Sequence, residues 1–397
     1  MNDTLPIVDV DPYATANLLD PYPMHATLRD AGPAVRLAAY PSVVVCARHA
    51  EVQAVLSDHA RFVSGAGVGL ANFELEAPWR PKSLVLEADP PLHTRMRAVL
   101  ARVLNPRAVA ALRADFEACA VAMVDRCVAA GEIDGIFDLA QAYPLKVFPD
   151  AVGLGPDERE NLLLYGDMVF NAMGPRNELF ERSVERVAAV TDWIMEHCRR
   201  PQLREGGLGE QIHRAADAGE LTPDEAPMLV RSFLSAGVDT TINGLGNALY
   251  CLAQQPDAWA ALHADPTRAR DAFEEALRIE STAQTFFRTT LTSVELAGHV
   301  LPPHTKVLCM LAAANRDPRR WPDPERFDLA RRPHGHLAFG TGIHGCVGQM
   351  LARLEGELVL GVLARRVRRL EPLGPPVRRL NNTLRALASL PLRLVAA

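Results

Sequence analysis

The residue with the most distinctive chemistry lies in a glycine-rich segment near the C-terminus. Residues 339–348 read Phe-Gly-Thr-Gly-Ile-His-Gly-Cys-Val-Gly and isolate one cysteine, Cys346. We expect Gly340, Gly342 and Gly345 to adopt backbone angles closed to other residues and to let amide groups point at the sulfur. A lone cysteine is usually a small buried hydrophobe. This setting instead favours a buried thiolate that binds a metal.

Iron is the metal that such a loop suggests first, because a thiolate ligand on haem iron favours cleavage of an O–O bond. Phe339 would pack beside the sulfur, and His344 would reach a haem carboxylate. Zinc is the alternative, since His334, His336, His344 and Cys346 crowd into one segment. Zinc sites usually bring two close pairs of ligands from separate arms, so the spacing fits zinc poorly.

Polar residues interrupt an apolar helical pattern at 236–241, which reads Ala-Gly-Val-Asp-Thr-Thr. Glycine weakens a helix interior by roughly 0.5–1 kcal/mol, and threonine can return its hydroxyl to an upstream carbonyl and bend the helix. A groove for a small ligand could form there, although a kink without catalysis is an open alternative. Thr222, Pro223 and Glu225 have the pattern of a helix start, and we expect one long helix from there to about Gln254.

Cationic side chains recur where a buried anion would need partners. Haem carries two propionates, which require cations or hydrogen-bond donors when buried. His93 and Arg97 lie at i and i+4 of a predicted helix and can face one ligand. Arg288 and His344 are two further candidates, although each alone could be an ordinary surface charge or core histidine.

These segments together resemble the cytochrome P-450 family, whose Phe-x-x-Gly-x-His-x-Cys-x-Gly pattern is matched at every fixed position. The resemblance implies haem b held by Cys346, with propionates at His93, Arg97, Arg288 and His344. Asp239 and Thr240 match the acid and alcohol that deliver protons during oxygen activation in that family.

A structural triad is also implied by the resemblance. Glu275 and Arg278, at i and i+3, match its first two members, and Arg326 matches the third. In that family the triad braces the proximal side of the haem. An isolated pair of this kind is usually a solvated ion pair.

Within the family, the chain is similar to bacterial enzymes that oxidise para-substituted benzoates such as 4-methoxybenzoate. The segments that carry this likeness are 80–86, Arg-Pro-Lys-Ser-Leu-Val-Leu, and 231–237, Arg-Ser-Phe-Leu-Ser-Ala-Gly. The likeness implies that Ser83 and Ser232 hydrogen-bond a carboxylate, that Arg80 supplies positive potential and that Arg231 acts indirectly. The full set of expected substrate contacts is Arg80, Ser83, Leu86, Phe170, Met173, Ser232, Ser235, Ala236, Ala283 and Phe286.

Helix geometry gives the substrate prediction a physical form. Ser232, Ala236 and Thr240 recur every four residues and share one face, with Ser232 about 12 Å from Thr240 along the axis. A carboxylate held at the serine end would place the para end of the ring near iron. Met173 and Ala283 depart from the expected aromatic and larger aliphatic residues, so a longer or bulkier acid is a second possibility.

The bulk properties allow one large domain. The net charge of −6 over 397 residues gives no basic field for nucleic acid. The seven cysteines lack framework spacing, which favours a reducing, cytoplasmic compartment. The N-terminal Met-Asn-Asp-Thr-Leu-Pro lacks a leader pattern, and no long apolar run predicts a membrane span. We predict one mainly α domain over residues 1–397 with small β-sheets, the cytochrome P-450 fold, and haem between the long central helix and the cysteine segment.

Electrons must come from other proteins, since the sequence has neither a dinucleotide fingerprint nor an iron–sulfur cysteine set. We expect an iron–sulfur ferredoxin and a flavin-dependent ferredoxin reductase, supplied indirectly by NAD(P)H. The C-terminal arginines are either a docking patch for an acidic ferredoxin or a solvated helix face. They are Arg353, Arg365, Arg366, Arg368 and Arg369. A haem-thiolate gas sensor without turnover is the alternative function, and the Asp239–Thr240 pair argues against it.

Overall fold

The computed structural model describes residues 5–78 and 80–397, which are mainly helical. The first four residues, on which the leader prediction partly rests, lie outside the described residues. The α-helices are α1 Thr15–Leu19, α2 Tyr22–Ala31, α3 His49–Ser57, α4 Leu92–Val103, α5 Pro106–Ala111, α6 Arg113–Ala130, α7 Ala142–Val152, α8 Asn161–Asn171, α9 Glu178–Val187, α10 Thr191–His197, α11 Leu208–Asp217, α12 Glu225–Gly237, α13 Asp239–Ala253, α14 Pro256–Ala264, α15 Ala269–Ile279, α16 Leu311–Ala314 and α17 Gln349–Arg366. A π-helix spans Gly135–Gln141, and 3₁₀ turns span Arg200–Gln202, Pro266–Arg268 and Gly342–His344.

The strands form small sheets at the margins of the helical body. They are β1 Ile7–Val8, β2 Val35–Leu37, β3 Val43–Cys46, β4 Phe62–Val63, β5 Glu132–Asp134, β6 Thr285–Thr290, β7 Val294–Leu296, β8 His299–Leu301, β9 Lys306–Met310, β10 Val367–Pro372, β11 Val377–Arg379, β12 Ala386–Ser389 and β13 Pro391–Ala396. The largest sheet has the order β1-β2-β3-β9-β6-β4, and β10, β13 and β5 form another. Pairs β7–β8 and β11–β12 complete the set within the described ranges.

The predicted long central helix is two helices. The capping box is confirmed, because the Thr222 amide donates to Glu225 and the Glu225 amide donates to the Thr222 hydroxyl. The helix that follows ends at Gly237, however, and a second begins at Asp239. The prediction of continuity was wrong because two threonine hydroxyls, rather than backbone amides alone, bond the carbonyls of Ala236 and Gly237.

Of the other local predictions, one is confirmed and two differ from the structure. The apolar, β-branched run of residues 43–46 predicts a strand, and strand β3 confirms it. Residues 294–311 predict a small sheet with its turn at Pro302 and Pro303; the sheet exists, but its hairpin turns at 297–298, and the prolines lead instead into β9 of the largest sheet. Pro144 was expected to interrupt the helical body, but it is the third residue of α7, which continues directly from the π-helix Gly135–Gln141.

The main core packs α13, α15 and α17 together with α6. These helices bury their apolar faces on one another and fix the start of α17 beneath the break between α12 and α13. Across the described part of the chain, no helix is both long enough and apolar enough to cross a bilayer.

Candidate functional site

A large cavity lies between the α12–α13 break and the segment that precedes α17. It contains about 1800 Å³ of space between atoms, part of it open to solvent. Its lining includes both the segment that holds Cys346 and the residues predicted to contact a substrate, so one cavity serves both parts of the predicted site. Most residues selected from the sequence line it: Arg80, Ser83, Leu86, Arg97, Phe170, Met173, Ser232, Ser235, Ala236, Thr240, Ala283, Phe286, Arg288, Phe339, His344 and Cys346.

The segment 339–348, hereafter the cysteine loop, presents one thiol to this cavity. The Cys346 amide donates to the Phe339 carbonyl at 2.8 Å, which closes the loop. Gly340 and Gly342 have φ of +65° and +69°, as expected for residues that only glycine tolerates well. The same expectation for Gly345 was wrong, because its φ of −50° is open to any residue.

The electrostatic surroundings of the thiol favour a ligand. Burial raises the pKa of Cys346, whereas the Gly348 amide and the Arg97 and Arg353 guanidiniums lower it. Helix α17 begins at Gln349, so the positive end of its dipole also faces the sulfur. A thiolate here would be stabilised by donors that are already in place, which is what a metal–thiolate bond requires.

Four cationic or hydrogen-bonding side chains meet at one side of the cavity. The His93 and His344 rings lie 4.3 Å apart, and Nε2 of each is buried without a partner. Arg97 donates to the Gly345 carbonyl and Arg288 to the Phe287 carbonyl. Neither arginine has an ion-pair partner among residues 5–78 and 80–397, and burial lowers the pKa of both guanidiniums.

This arrangement fits the two propionates of haem. Buried cations without a carboxylate are costly unless an anion joins them. Two arginines and two orphaned histidine nitrogens supply what a pair of carboxylates needs. His93 lies just behind the cavity wall, where its ring contacts that of His344 with the two planes tilted by 53°.

The predicted acid and alcohol point in different directions. The Thr240 hydroxyl donates to the Ala236 carbonyl at 2.6 Å and faces the cavity. Asp239 is buried behind the wall, where one carboxylate oxygen accepts from Arg379 at 2.8 Å and the other has no partner. Burial raises the pKa of this carboxyl, and Arg379 partly offsets that rise. Asp239 can therefore hold a proton that its neighbour Thr240 could pass to the cavity.

The two serines predicted to bind a carboxylate lie together. The Ser83 hydroxyl donates to the Ser232 hydroxyl at 3.2 Å, and Ser232 donates to the Met228 carbonyl at 3.0 Å. Amides of Val85 and Leu86 donate to the Ser83 oxygen at 3.4 and 3.1 Å. Both hydroxyl protons could turn to a ligand in the cavity, because each hydroxyl group rotates freely.

Arg80 does not have the electrostatic role that was expected. It forms a bidentate ion pair with Glu87, at 3.0 and 3.2 Å, so its charge is largely compensated. Arg231 is the better source of positive potential. It is buried beside Ser232, donates to the Pro81 and Lys82 carbonyls, and has no carboxylate partner in the described part of the chain.

The proximal triad contains a different third member from the one predicted. Glu275 and Arg278 are fully buried and pair at 2.8 Å. The Arg326 side chain is 67% exposed and contributes only its carbonyl, which accepts from Arg278. Arg331 instead donates to Glu275 at 3.0 Å. The prediction failed because the chain turns after Phe327 and brings Arg331 back to the acid.

The zinc alternative finds no support in the geometry. His336 binds Glu274 at 2.7 Å rather than Cys346. Among the described residues, no three histidine, cysteine or acidic side chains are grouped to hold a metal ion.

Several residues of the site carry no signal that sequence reasoning could have used. Glu87, Asp167 and Arg379 belong to ordinary polar segments, and only the fold brings them to Arg80 and Asp239. Glu355 is a buried acid in the cavity wall whose pKa is raised well above its ordinary value by burial. In the sequence, Glu355 cannot be distinguished from an ordinary polar residue in the middle of a helix.

The cavity, with its cysteine loop and its cluster of buried cations, fits a haem-thiolate protein, and comparison with known proteins gives the family. Residues 168–393 match the family model "Cytochrome P450". The chain is 56% identical to cytochrome P450 CYP199A2 of Rhodopseudomonas palustris over 99% of its own length and 95% of that protein. It is 33% identical to cytochrome P450 monooxygenase PikC of Streptomyces venezuelae over 91% and 87% of the two chains.

A solved structure agrees. Cytochrome P450 CYP109Q5 of Chondromyces apiculatus superposes with a TM-score of 0.81 at 32% identity, covering 98% of this chain and 99% of that one. The chain therefore belongs to the cytochrome P450 family. It is a haem monooxygenase that uses haem b, and its electrons come from NAD(P)H through redox partners.

Proposed function

We propose that the enzyme hydroxylates or O-demethylates a small aromatic carboxylic acid at the para position, with 4-methoxybenzoate as the reference substrate. The observation that supports this most directly is the contact between Ser83 and Ser232, two hydroxyls that meet in the wall of a mainly apolar cavity. A carboxylate between them would accept two hydrogen bonds. Loss of methanal would follow hydroxylation of a para methoxy group.

The charge of the cavity wall also favours a substrate carboxylate at the end of the cavity that holds Ser83 and Ser232. Arg231 is a buried guanidinium without a carboxylate partner in the described ranges, next to Ser232 in the sequence and in the wall. A substrate carboxylate would offset that charge through Ser232 or directly. The remaining predicted contacts, Leu86, Phe170, Ala236 and Phe286, give the ring an apolar enclosure.

The anchor also sets where oxidation occurs. Ser232 and Thr240 both line the cavity, Ser232 from the last turns of α12 and Thr240 from the first turn of α13. An aromatic acid bound at the serines would direct its far end toward Thr240 and the cysteine loop. Met173 and Ala283 line the cavity and leave room for a longer or bulkier acid, which is the second candidate substrate.

The roles of the chain's own groups follow from their positions. Haem, when bound, supplies oxygen activation, with Cys346 as its ligand and His93, Arg97, Arg288 and His344 at its propionates. Asp239 takes up a proton on its unpartnered oxygen from the Arg379 side, and Thr240 passes a proton into the cavity. The apolar walls exclude water from the substrate ring.

We also propose that a ferredoxin and its flavin-dependent reductase supply the electrons. A cytoplasmic location is consistent with the seven free cysteines. The predicted arginine patch adds little to this. Arg365, Arg366 and Arg369 pair with acidic residues of the chain, and Arg353 pairs with Glu274. For Arg365 and Arg366 the solvated helix face is thus the better interpretation, whereas Arg369 lies on β10 and Arg353 is largely buried.

The carboxylate anchor is tested by titrating the ferric enzyme with 4-methoxybenzoate and with its uncharged amide. Wild-type enzyme should bind the acid more tightly. Ser83→Ala and Ser232→Ala should each weaken acid binding about tenfold, because a hydrogen bond to a charged group contributes roughly 1.5–3 kcal/mol.

Ser183→Ala is the matched control, since Ser183 is also a buried helical serine whose hydroxyl donates to a main-chain carbonyl, but outside the cavity. It should leave both affinities unchanged. Equal binding of acid and amide by the wild-type enzyme would remove the anchor from the proposal.

A further inference from the structure

Three charged or polar side chains connect the base of the cysteine loop to two core helices. Glu274 of α15 accepts from His336 at 2.7 Å and forms an ion pair with Arg353 of α17. Arg353 also donates to Gln349 at 2.6 Å, and its guanidinium lies 4.4 Å from the centre of the Phe339 ring. The group thus joins both ends of the segment that holds Cys346.

The histidine has a defined tautomer. The Ala338 amide donates to His336 Nδ1 at 3.2 Å, so that nitrogen carries no proton. The ring proton must then be on Nε2, where it is donated to Glu274. His336 is almost fully buried and neutral in this arrangement, and it transmits the position of Glu274 to the backbone just before Phe339.

The charges of the group balance. Arg353 contributes one positive charge and Glu274 one negative charge, with both side chains at most 20% exposed. Burial opposes ionisation of Glu274, but hydrogen bonds from His336 and Arg353 outweigh it and lower its pKa to about 2. Arg353 also reaches the segment that holds the thiol, since its guanidinium lies against the Phe339 ring and the Phe339 carbonyl accepts from the Cys346 amide at 2.8 Å.

We propose that Glu274 neutralises Arg353 so that the Cys346 thiolate keeps its electron-donating strength, while His336 holds the loop in place. These are positioning residues, because none of them touches the thiol itself. The inference rests on the proposed role of Cys346 as the haem ligand. Without Glu274, Arg353 would be an uncompensated cation in a poorly solvated region, where charges act over longer distances than in water.

A charge cycle on the haem-loaded enzyme tests this through its reduction potential. Reduction adds an electron, so a nearby positive charge favours the ferrous form. Glu274→Gln should shift the potential positive and Arg353→Gln should shift it negative. Each should change the ferric–ferrous equilibrium by about threefold to tenfold, where tenfold equals 59 mV for one electron. The double variant, which is neutral again, should return close to wild type.

Arg365→Gln is the matched control, because Arg365 lies on the same helix and pairs with Glu117, but about half of each side chain is exposed. The reduction potential of the Arg365→Gln enzyme should equal that of the wild type. Single shifts of the same sign, or a double variant further from wild type than either single, would show that these residues only support the loop structurally and would overturn the proposal.

His336 is tested separately with two neutral replacements. His336→Asn keeps an acceptor for the Ala338 amide and His336→Gln keeps a donor for Glu274. Both should leave the potential near wild type and reduce the fraction of enzyme with the long-wavelength ferrous–CO band. A shift in potential with an intact band would contradict the positioning role. Absence of that band in wild type would instead refute Cys346 as the ligand, a separate failure.

Discussion

Asp239 and Thr240 are adjacent in sequence but serve opposite sides of the cavity wall. The Thr240 hydroxyl faces inward, and the Asp239 carboxylate faces Arg379, which bridges to Asp167 on α8 at 3.5 Å. In the proposed function Asp239 takes up protons on the side of this network, whose Arg379 side chain is 31% exposed, and Thr240 supplies protons to the cavity. Proton supply through this wall therefore depends on both residues.

Thr240→Ala removes the only one of these two groups that faces the cavity. Proton delivery by a positioned group typically contributes at least 100-fold to a rate, so we expect the product formed per NAD(P)H to fall roughly tenfold and peroxide release to rise. Thr240→Ser, which keeps the hydroxyl, is the control and should stay close to wild type. Unchanged coupling in Thr240→Ala, measured as peroxide against product, would contradict the assigned role.

At the residue scale, what could be predicted depended on local constraint. Cys346, Gly340 and Gly342 sit in a short loop whose backbone fixes their direction, and the sequence was enough to predict them. Arg326 and Arg80 have long side chains with several acids within reach. Which acid an arginine meets is decided by the fold, so those two predictions failed.

Helices α15 and α17 carry the groups beneath the cysteine loop, and their close approach depends on a glycine. A Cβ on Gly356 would lie 2.4 Å from Cγ of the buried Phe273 ring. By contrast, a Cβ on Gly361, five residues further along α17, would make an ordinary contact of 3.5 Å with Ala269. The contact at Gly356 thus sets the distance between the two helices.

Gly356→Ala should destabilise the enzyme by about 1–3 kcal/mol, the usual cost of overpacking a core. Gly361→Ala should be neutral or stabilising by up to about 1 kcal/mol, since both changes give the same gain in helix propensity. Urea unfolding of the two haem-loaded variants measures the difference. Equal midpoints would mean that the α15–α17 contact at Gly356 is easily relaxed.

Elements were predictable where hydrophobic periodicity and capping agreed. The capping box of Thr222 and Glu225 and the strand at Val43–Cys46 were both predicted correctly because each has a strong local signal. The break at Val238 was predicted only in part, because the polar residues at 236–241 indicated a bend in one helix but not the end of one helix and the start of another. The interruption arises from threonine hydroxyls bonding to carbonyls, and the sequence shows only that such bonds are possible.

At the scale of the whole molecule, α4 and α12 are linked by an ion pair. Arg95 binds Glu225 through two contacts of 2.6 Å each, and Glu225 also closes the capping box of its helix. The hydrogen bonds from Arg95 lower the pKa of Glu225 to about 2. An unfolded glutamate has a pKa near 4.3, so the unfolded state binds more protons between these values.

Stability from Glu225 is therefore complete above pH of about 4.3 and is lost as the pH falls toward about 2. Glu225→Gln should lower the free energy of unfolding at pH 6 by less than about 1 kcal/mol, because Arg95 is partly exposed, and should lower the Tm slightly as a result. It should also make the fall in Tm between pH 5 and pH 3 shallower. Glu205→Gln, at a side chain that is 90% exposed, is the control. An unchanged slope in Glu225→Gln would contradict this linkage.

The overall architecture was predicted as a mainly α fold with small sheets, and the comparisons confirm it. The boundaries of a single domain over residues 1–397 stay a prediction. The residues of the cavity wall were predicted from family resemblance, whereas the charged residues that pair behind the wall were not. Arg379 is 140 residues from Asp239 and 212 from Asp167 in the sequence, so their pairing depends on tertiary packing.

The interruption at Val238 has a consequence for how this enzyme could change over evolutionary time. It separates α12, which carries Ser232 and Ala236, from α13, which begins at Asp239. Substitutions that lengthen, shorten or rotate the first helix can be absorbed at the break. Substrate preference and oxygen chemistry can thus be altered independently, and new acids could be accepted without retuning proton supply.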